Sequence, residues 1–180
     1  MSYHHLRVSL LICTFIFTLC SGAIADSPDS FRAQHKINTS HTELYSPKKL
    51  KLYIGGFLGS SYKVQLTGQT LTYQEYASGQ QLKTNQIIVP TKKQWQEFWE
   101  ALEAIKIWEW RKEYLDTSAS DGTQWSVEIE HANRYIIASG NNRYPSDDSV
   151  SGDSDNAESS KVFTQYLLAV RNLLGEKKFQ

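Results

Sequence analysis

The residues best placed by type and spacing to do chemistry lie between Ser146 and Ser160, a stretch with five acidic side chains and no basic one. With Asp147 as the first position of a calcium loop, Ser149 falls third, Ser151 fifth, Gly152 sixth, Asp155 ninth and Glu158 twelfth. Calcium takes oxygen ligands, a glycine for the sharp turn and a bidentate carboxylate at the end of the loop. The seventh position, Asp153, would contribute only its backbone carbonyl. Three features oppose the assignment. Serine at the third and fifth positions is a weaker ligand than aspartate, Ser154 stands where an apolar residue is wanted, and no helix precedes the loop. The competing reading is a solvated acidic linker too polar to bury anything. Calcium is the only cofactor the sequence raises.

Other constellations are weaker. Two of the five histidines precede Ala25 and two more, His35 and His41, lie in a polar stretch, which leaves His131 at the end of a strand-like segment. A single histidine forms no metal cluster, and as a general base it needs a nucleophile and an orienting carboxylate. Glu128 and Glu130 are close in sequence, but alternation alone does not place them. Glu97, Glu100 and Glu103 suit paired-carboxylate hydrolysis by number; their spacing is also that of any solvated helix face. No catalytic residue is assigned. Trp108, Trp110 and Tyr114 could form an exposed aromatic strip for sugar or peptide, since Trp and Tyr are enriched at binding hot spots, or they could be core. The run Ser139-Gly140-Asn141-Asn142-Arg143-Tyr144-Pro145 is a second candidate, with Ser139, Asn141, Asn142 and Tyr144 as its contact residues; its Gly and Asn also suit a turn.

The N-terminus reads as an export signal. Arg7 precedes an apolar run from Val8 to Leu19, and Ala23-Ile24-Ala25 supplies the small-x-small pattern for cleavage before Asp26. The run is far shorter than the roughly 20 residues that cross a bilayer. Lipidation at Cys20 would want a small residue where Leu19 stands. Removal of residues 1–25 takes both cysteines, Cys13 and Cys20, and one basic residue, leaving 18 basic against 19 acidic side chains, a net charge of −1 with histidine neutral. A mature, cysteine-free chain excludes a disulfide framework, a thiolate zinc site and a cysteine nucleophile. Balanced charge gives no footprint for nucleic acid, and no second spanning segment follows. The protein is expected to be soluble in the periplasm or medium.

Residues 26–47 read as a flexible tail, and Asn38-Thr39-Ser40 within it matches the glycosylation acceptor pattern. Residues 48–180 read as one domain, interrupted by the acidic loop at 146–160. Leu50, Leu52 and Ile54 alternate, as do Tyr62, Val64 and Leu66, and then Leu71 and Tyr73; with Leu82 to Val89 they predict an antiparallel meander. Thr91 and Gln94 have capping-box spacing. Trp95, Phe98, Trp99, Leu102 and Ile105 then form a helical stripe. Ile107 to Leu115 fits either a longer helix or a strand. Asp121-Gly122 marks a turn, Trp125, Val127 and Ile129 alternate, and Tyr135 to Ser139 returns as a hairpin partner. Phe163, Tyr166, Leu167, Val170, Leu173 and Leu174 stripe a final helix that stops at Gly175. This order predicts an α+β fold: an antiparallel sheet of about five to six strands with two amphipathic helices packed on one face.

The pattern Asp121-Gly122-x-x-Trp125, followed by Val127, Ile129, Ser139-Gly140-Asn141-Asn142-x-Tyr144-Pro145 and an aromatic-led helix, resembles a group of small exported bacterial proteins of unknown function. The likeness covers roughly residues 85–175 and implies a bacterial source and a stand-alone secreted domain. The Ser-Gly loop is also similar to that of periplasmic lysozyme inhibitors, but has one residue more between Gly140 and Tyr144. The expected function is non-enzymatic binding of a protein or envelope glycan. The alternatives are an inhibitor of, or immunity protein against, a cell-wall-degrading enzyme, and a hydrolase using Glu and His side chains.

Overall fold

A computed structural model describes residues 45–56, 59–116, 122–146, 153–154 (backbone only) and 160–180. The proposed signal, most of the tail and the glycosylation triplet lie outside them. So do Asp147, Ser149, Ser151, Asp155 and Glu158.

The fold is α+β. Strands β1 (Lys49–Gly55), β2 (Ser61–Thr67), β3 (Thr70–Tyr76) and β4 (Leu82–Ile88) form the expected meander. Helix α1 (Lys92–Ala104) follows, then a 3₁₀ turn (Ile107–Glu109) and the short strand β5 (Glu113–Leu115). Strands β6 (Gln124–His131) and β7 (Arg134–Asn141) make a hairpin whose turn residues, Ala132 and Asn133, both have positive φ (47° and 62°). That is the twist a two-residue hairpin loop requires. Two-residue strands β8 (Tyr144–Pro145) and β9 (Asp153–Ser154) pair with each other, and α2 (Lys161–Leu173) closes the order.

The main sheet has seven strands in the order β4-β3-β2-β1-β6-β7-β5, more than the five to six expected. It is also mixed rather than wholly antiparallel, because β5 runs parallel to β7. Tight hairpins enforce antiparallel pairing, but β5 follows a helix and a 3₁₀ turn and pairs with a strand two further on. Three residues carry too little alternation to show that partner in advance.

One face of the sheet is core. Leu50, Leu52, Ile54, Val64, Leu71, Tyr73, Val127, Ile129, Ile136 and Ala138 are all buried on it. They share a single cluster with Trp95, Phe98 and Leu102 of α1 and Phe163, Tyr166, Val170 and Leu173 of α2. Burial pushes the Tyr73 phenol up to about 12 and the Tyr166 phenol higher still. The capping box forms as spaced: the Gln94 N–H donates to Thr91 Oγ1 (3.2 Å) and the Thr91 N–H to Gln94 Oε1 (2.9 Å). Phe179 was not legible as core. It is fully buried and meets Tyr62 and Tyr166. Among the described residues no helix is long and apolar enough to cross a membrane.

Candidate functional site

The aromatic candidates do not form an exposed strip. Tyr114, on the core side of β5, is 4% exposed, and its hydroxyl accepts the Arg111 N–H at 2.9 Å. Trp110 packs edge-on against Trp125 and Tyr166 (5.9 and 5.5 Å between centroids) and donates through Nε1 to the Ile105 carbonyl. Trp108 is half-buried, with the Arg134 guanidinium over its ring at 4.4 Å.

The spacing of glycine, tryptophan and asparagine is that of an interlock. Trp125 Nε1 donates to the Arg143 carbonyl (2.8 Å), and its ring meets Tyr114, Tyr144 and Phe163. Gly140 lies beneath that indole, and a Cβ there would sit within 2.5 Å of the Arg143 carbonyl oxygen. Asn142, in the left-handed region at φ 53°, accepts the Thr123 N–H through Oδ1 at 2.9 Å and fills the space beside Gly122. Tyr144 is 3% exposed and stacks into the core near Phe163, with its phenol pushed up by burial. The loop that would have presented Tyr144 therefore turns it inward. Trp110, Tyr114 and Tyr144 are brought together, as packing around Trp125, while Asn142 holds the Thr123 backbone at the start of the same strand.

Ser139 and Asn141 are different. They lie on β7 opposite Ser126 and Gln124, on the side of the sheet away from the core. Alternation places Tyr135 and Ile137 on the same side, and Leu115 of β5 pairs beside Asn141. Five of the seven large exposed hydrophobics among the described residues, Leu82, Ile87, Leu115, Tyr135 and Ile137, occupy this outer face. Its centre is polar. The Glu128 carboxylate accepts from Lys49 and from the Tyr135 hydroxyl (3.0 Å) and lies 3.7 Å from Lys51. The Lys49 contact, foremost, holds that carboxyl below the usual range and lifts the Lys49 ammonium above its own. Tyr135 and Ile137 were missed in the sequence, although Tyr135-Ile136-Ile137 is apolar at both parities, the mark of a strand with something apolar on each face.

Among the described residues the titratable groups converge on no reaction centre. His131 stacks on Trp99, and Arg134 grips Glu103 with both terminal nitrogens while Trp108 donates to the same carboxylate at 2.9 Å. The Arg134 hydrogen bonds hold Glu103 below the usual carboxyl range. Glu97 pairs with Lys93 and Glu100 accepts from Gln96, each within one helical turn. Glu128 and Glu130 face the outer side, away from His131. No group of three potential metal ligands occurs among the described residues. A cavity of about 410 Å³ opens between Ile54, Leu167, Arg171 and Phe179, with Thr123 and Thr164 at its polar side. No protein-family model and no curated protein matches the chain.

Proposed function

We propose that the chain is an exported, non-enzymatic binding domain that engages a protein through the outer face of its sheet around β7. The two helices share a core with the opposite face, and among the described residues this one is left uncovered. The observation that carries the reading is the exposure of Tyr135, Ile137 and Leu115 (52%, 44% and 55%) on one side of the β7–β5 edge. Isolated exposed hydrophobics need no explanation, but apolar side chains grouped within a polar rim mark interaction sites. Glu128 and Lys51 border Tyr135 and Ile137 on the β6 side, and Glu113 lies between Ile137 and Leu115 along the edge.

A protein suits this surface better than a glycan. Sugars stack on flat aromatic faces, whereas Trp95 and Trp125 point into the core, Trp99 and Trp110 pack against it, and Arg134 covers Trp108. The exposed groups are branched aliphatics and one tyrosine, the chemistry of a protein interface core. A muramidase-inhibiting loop would need Tyr144 to project, and Tyr144 is core.

The test is a photo-crosslinking amino acid at Ile137, irradiated in cells that produce the full chain. A discrete protein adduct is expected there, and none when the same amino acid replaces Glu97 on the solvent side of α1. No adduct at Ile137, or equal adducts at both positions, overturns the reading.

A further inference from the structure

The opposite edge of the sheet points to a second contact. Among the described residues strand β4 is an edge strand: it pairs with β3 on one side and with no other strand on the other. Edge strands expose unpaired N–H and C=O groups, and proteins blunt them with lysine, proline, bulges or short length. On β4 the bulge and the lysine lie at one end, and Pro90 follows the other. The register shifts opposite Glu75 and Tyr76, and Lys83, the only charge on the strand, pairs with Glu75 at 3.2 Å. From Thr84 to Val89 the chain reads Thr-Asn-Gln-Ile-Ile-Val, without charge or proline. It combines β-branched residues with Asn and Gln, a composition that favours strand-on-strand pairing. Ile87 and Val89 are 74% and 69% exposed, more than any other large hydrophobic among the described residues, and Leu82 at 49% lies on the same strand.

We infer that β4 pairs antiparallel with β4 of a second copy of this chain, joining two seven-stranded sheets into one across a twofold axis near Asn85 and Gln86. The charge pattern suits a second copy and sets the direction. With its one charge at one end, the strand in parallel self-pairing would set Lys83 beside Lys83. Antiparallel pairing sends the two lysines to opposite ends, and each stays with its own Glu75. With Asn85 facing its symmetry mate, Lys83 lies across from Ile87, its methylenes over the isoleucine and its ammonium in water. The uncharged half of each strand then finds an uncharged partner, and the edge hydrophobics of both copies approach the axis. A twofold contact of this kind closes on itself and does not propagate. The contact is one strand wide, so it belongs with interfaces below about 1,200 Å², which are weak and reversible. It is independent of the β7 surface, which lies at the far side of the sheet.

Sedimentation equilibrium of protein purified from cells expressing the full chain is expected to show a monomer–dimer equilibrium at micromolar concentrations. Ile87→Lys is expected to weaken it about tenfold or more by placing a charge on the pairing edge, while Ile137→Lys leaves it unchanged. Hydrogen exchange supplies a readout that needs no variant: alternate amides between Thr84 and Ile88 should be slower at high protein concentration than at low. A monomer at several hundred micromolar overturns the inference. So does a dimer that ignores Ile87→Lys, or β4 amides whose exchange is independent of concentration.

Discussion

The imidazole of His131 lies face to face on the indole of Trp99, with centroids 3.9 Å apart and planes 3° from parallel. Trp99 is anchored by its Nε1 donating to the Tyr45 carbonyl at 2.8 Å. Burial, first, and the nearby Arg134 charge, second, disfavour the imidazolium; Glu103 opposes them, but Arg134 and Trp108 already hold its carboxylate. The folded pKa therefore lies below the ordinary 6.5. The unfolded chain takes up this proton first, so the full stability is present above pH 6.5 and falls as pH drops from there through the folded value. Thermal melts from pH 7.5 to 5.5 should show a falling midpoint, and His131→Phe should flatten that slope. An unchanged slope in the variant would refute the assignment. Glu103 and Glu128 act in a separate, more acid window, since their lowered values give stability present above about 4.5 and lost below it.

The Trp125 interlock predicts unequal costs for the same substitution. At Gly140 a methyl group meets the indole and the Arg143 carbonyl, both fixed by their mutual hydrogen bond, so nothing can yield cheaply. Gly140→Ala should cost about 2–3 kcal/mol, the upper part of the overpacking range. Gly59 has nothing within 4 Å of a built Cβ, and Gly59→Ala should fall within about 0.5 kcal/mol of the wild type. Urea denaturation of both, with equal m-values, checks the pair. Equal midpoints would mean that the Trp125 indole moves freely.

What was legible in the sequence was local. Alternation located β1, β2, β3 and β6 because each buries one face. A β-rich composition located β4, the break at Ala132-Asn133-Arg134 located β7 as a hairpin partner, and the 3.6-residue stripes located both helices because each buries one side. The placement of β1 against β6, seventy residues on, was not legible, nor was the parallel seating of β5. Those contacts are decided by tertiary packing and leave no period. The candidate site divided for the same reason. A residue type suited to binding does not reveal which face it occupies, and Tyr114 and Tyr144 fell to the core while Ser139 and Asn141 fell outside. The signals that mark the exposed apolar surface, Ile87-Ile88-Val89 and Tyr135-Ile136-Ile137, are runs in which alternation fails, and neither was used in the sequence.

Arg134 ties the β6–β7 turn to the end of α1 and to Trp108 on the 3₁₀ turn. Both partners of its ion pair are nearly half exposed (45% and 47%), so solvent screens the attraction. A double-mutant cycle with Arg134→Gln and Glu103→Gln should give a coupling of about 0.5–1 kcal/mol, smaller in high salt. Arg134→Lys alone should still destabilise in high salt, because lysine loses the flat guanidinium stacked on Trp108. A coupling that salt does not touch would show a drier contact than this exposure allows.

The helix starts separate an exposed cap from a buried one. Thr91 caps α1 in solvent, and Thr91→Ala should cost about 0.5–1 kcal/mol, since water replaces part of what is lost. Ser160 caps α2 at 1% exposure. Its hydroxyl accepts the Phe163 N–H at 3.0 Å and donates to the Pro145 carbonyl, joining the helix start to β8. Alanine there would remove the cap and strand a buried donor and a buried acceptor at once. Ser160→Ala should therefore cost about 2–3 kcal/mol, combining a lost cap with unsatisfied buried groups. Ser160→Thr keeps the hydroxyl and should recover most of that. Chemical denaturation of the three variants measures the ranking, and a Ser160→Ala cost no larger than that of Thr91→Ala would mean that water reaches the Pro145 carbonyl.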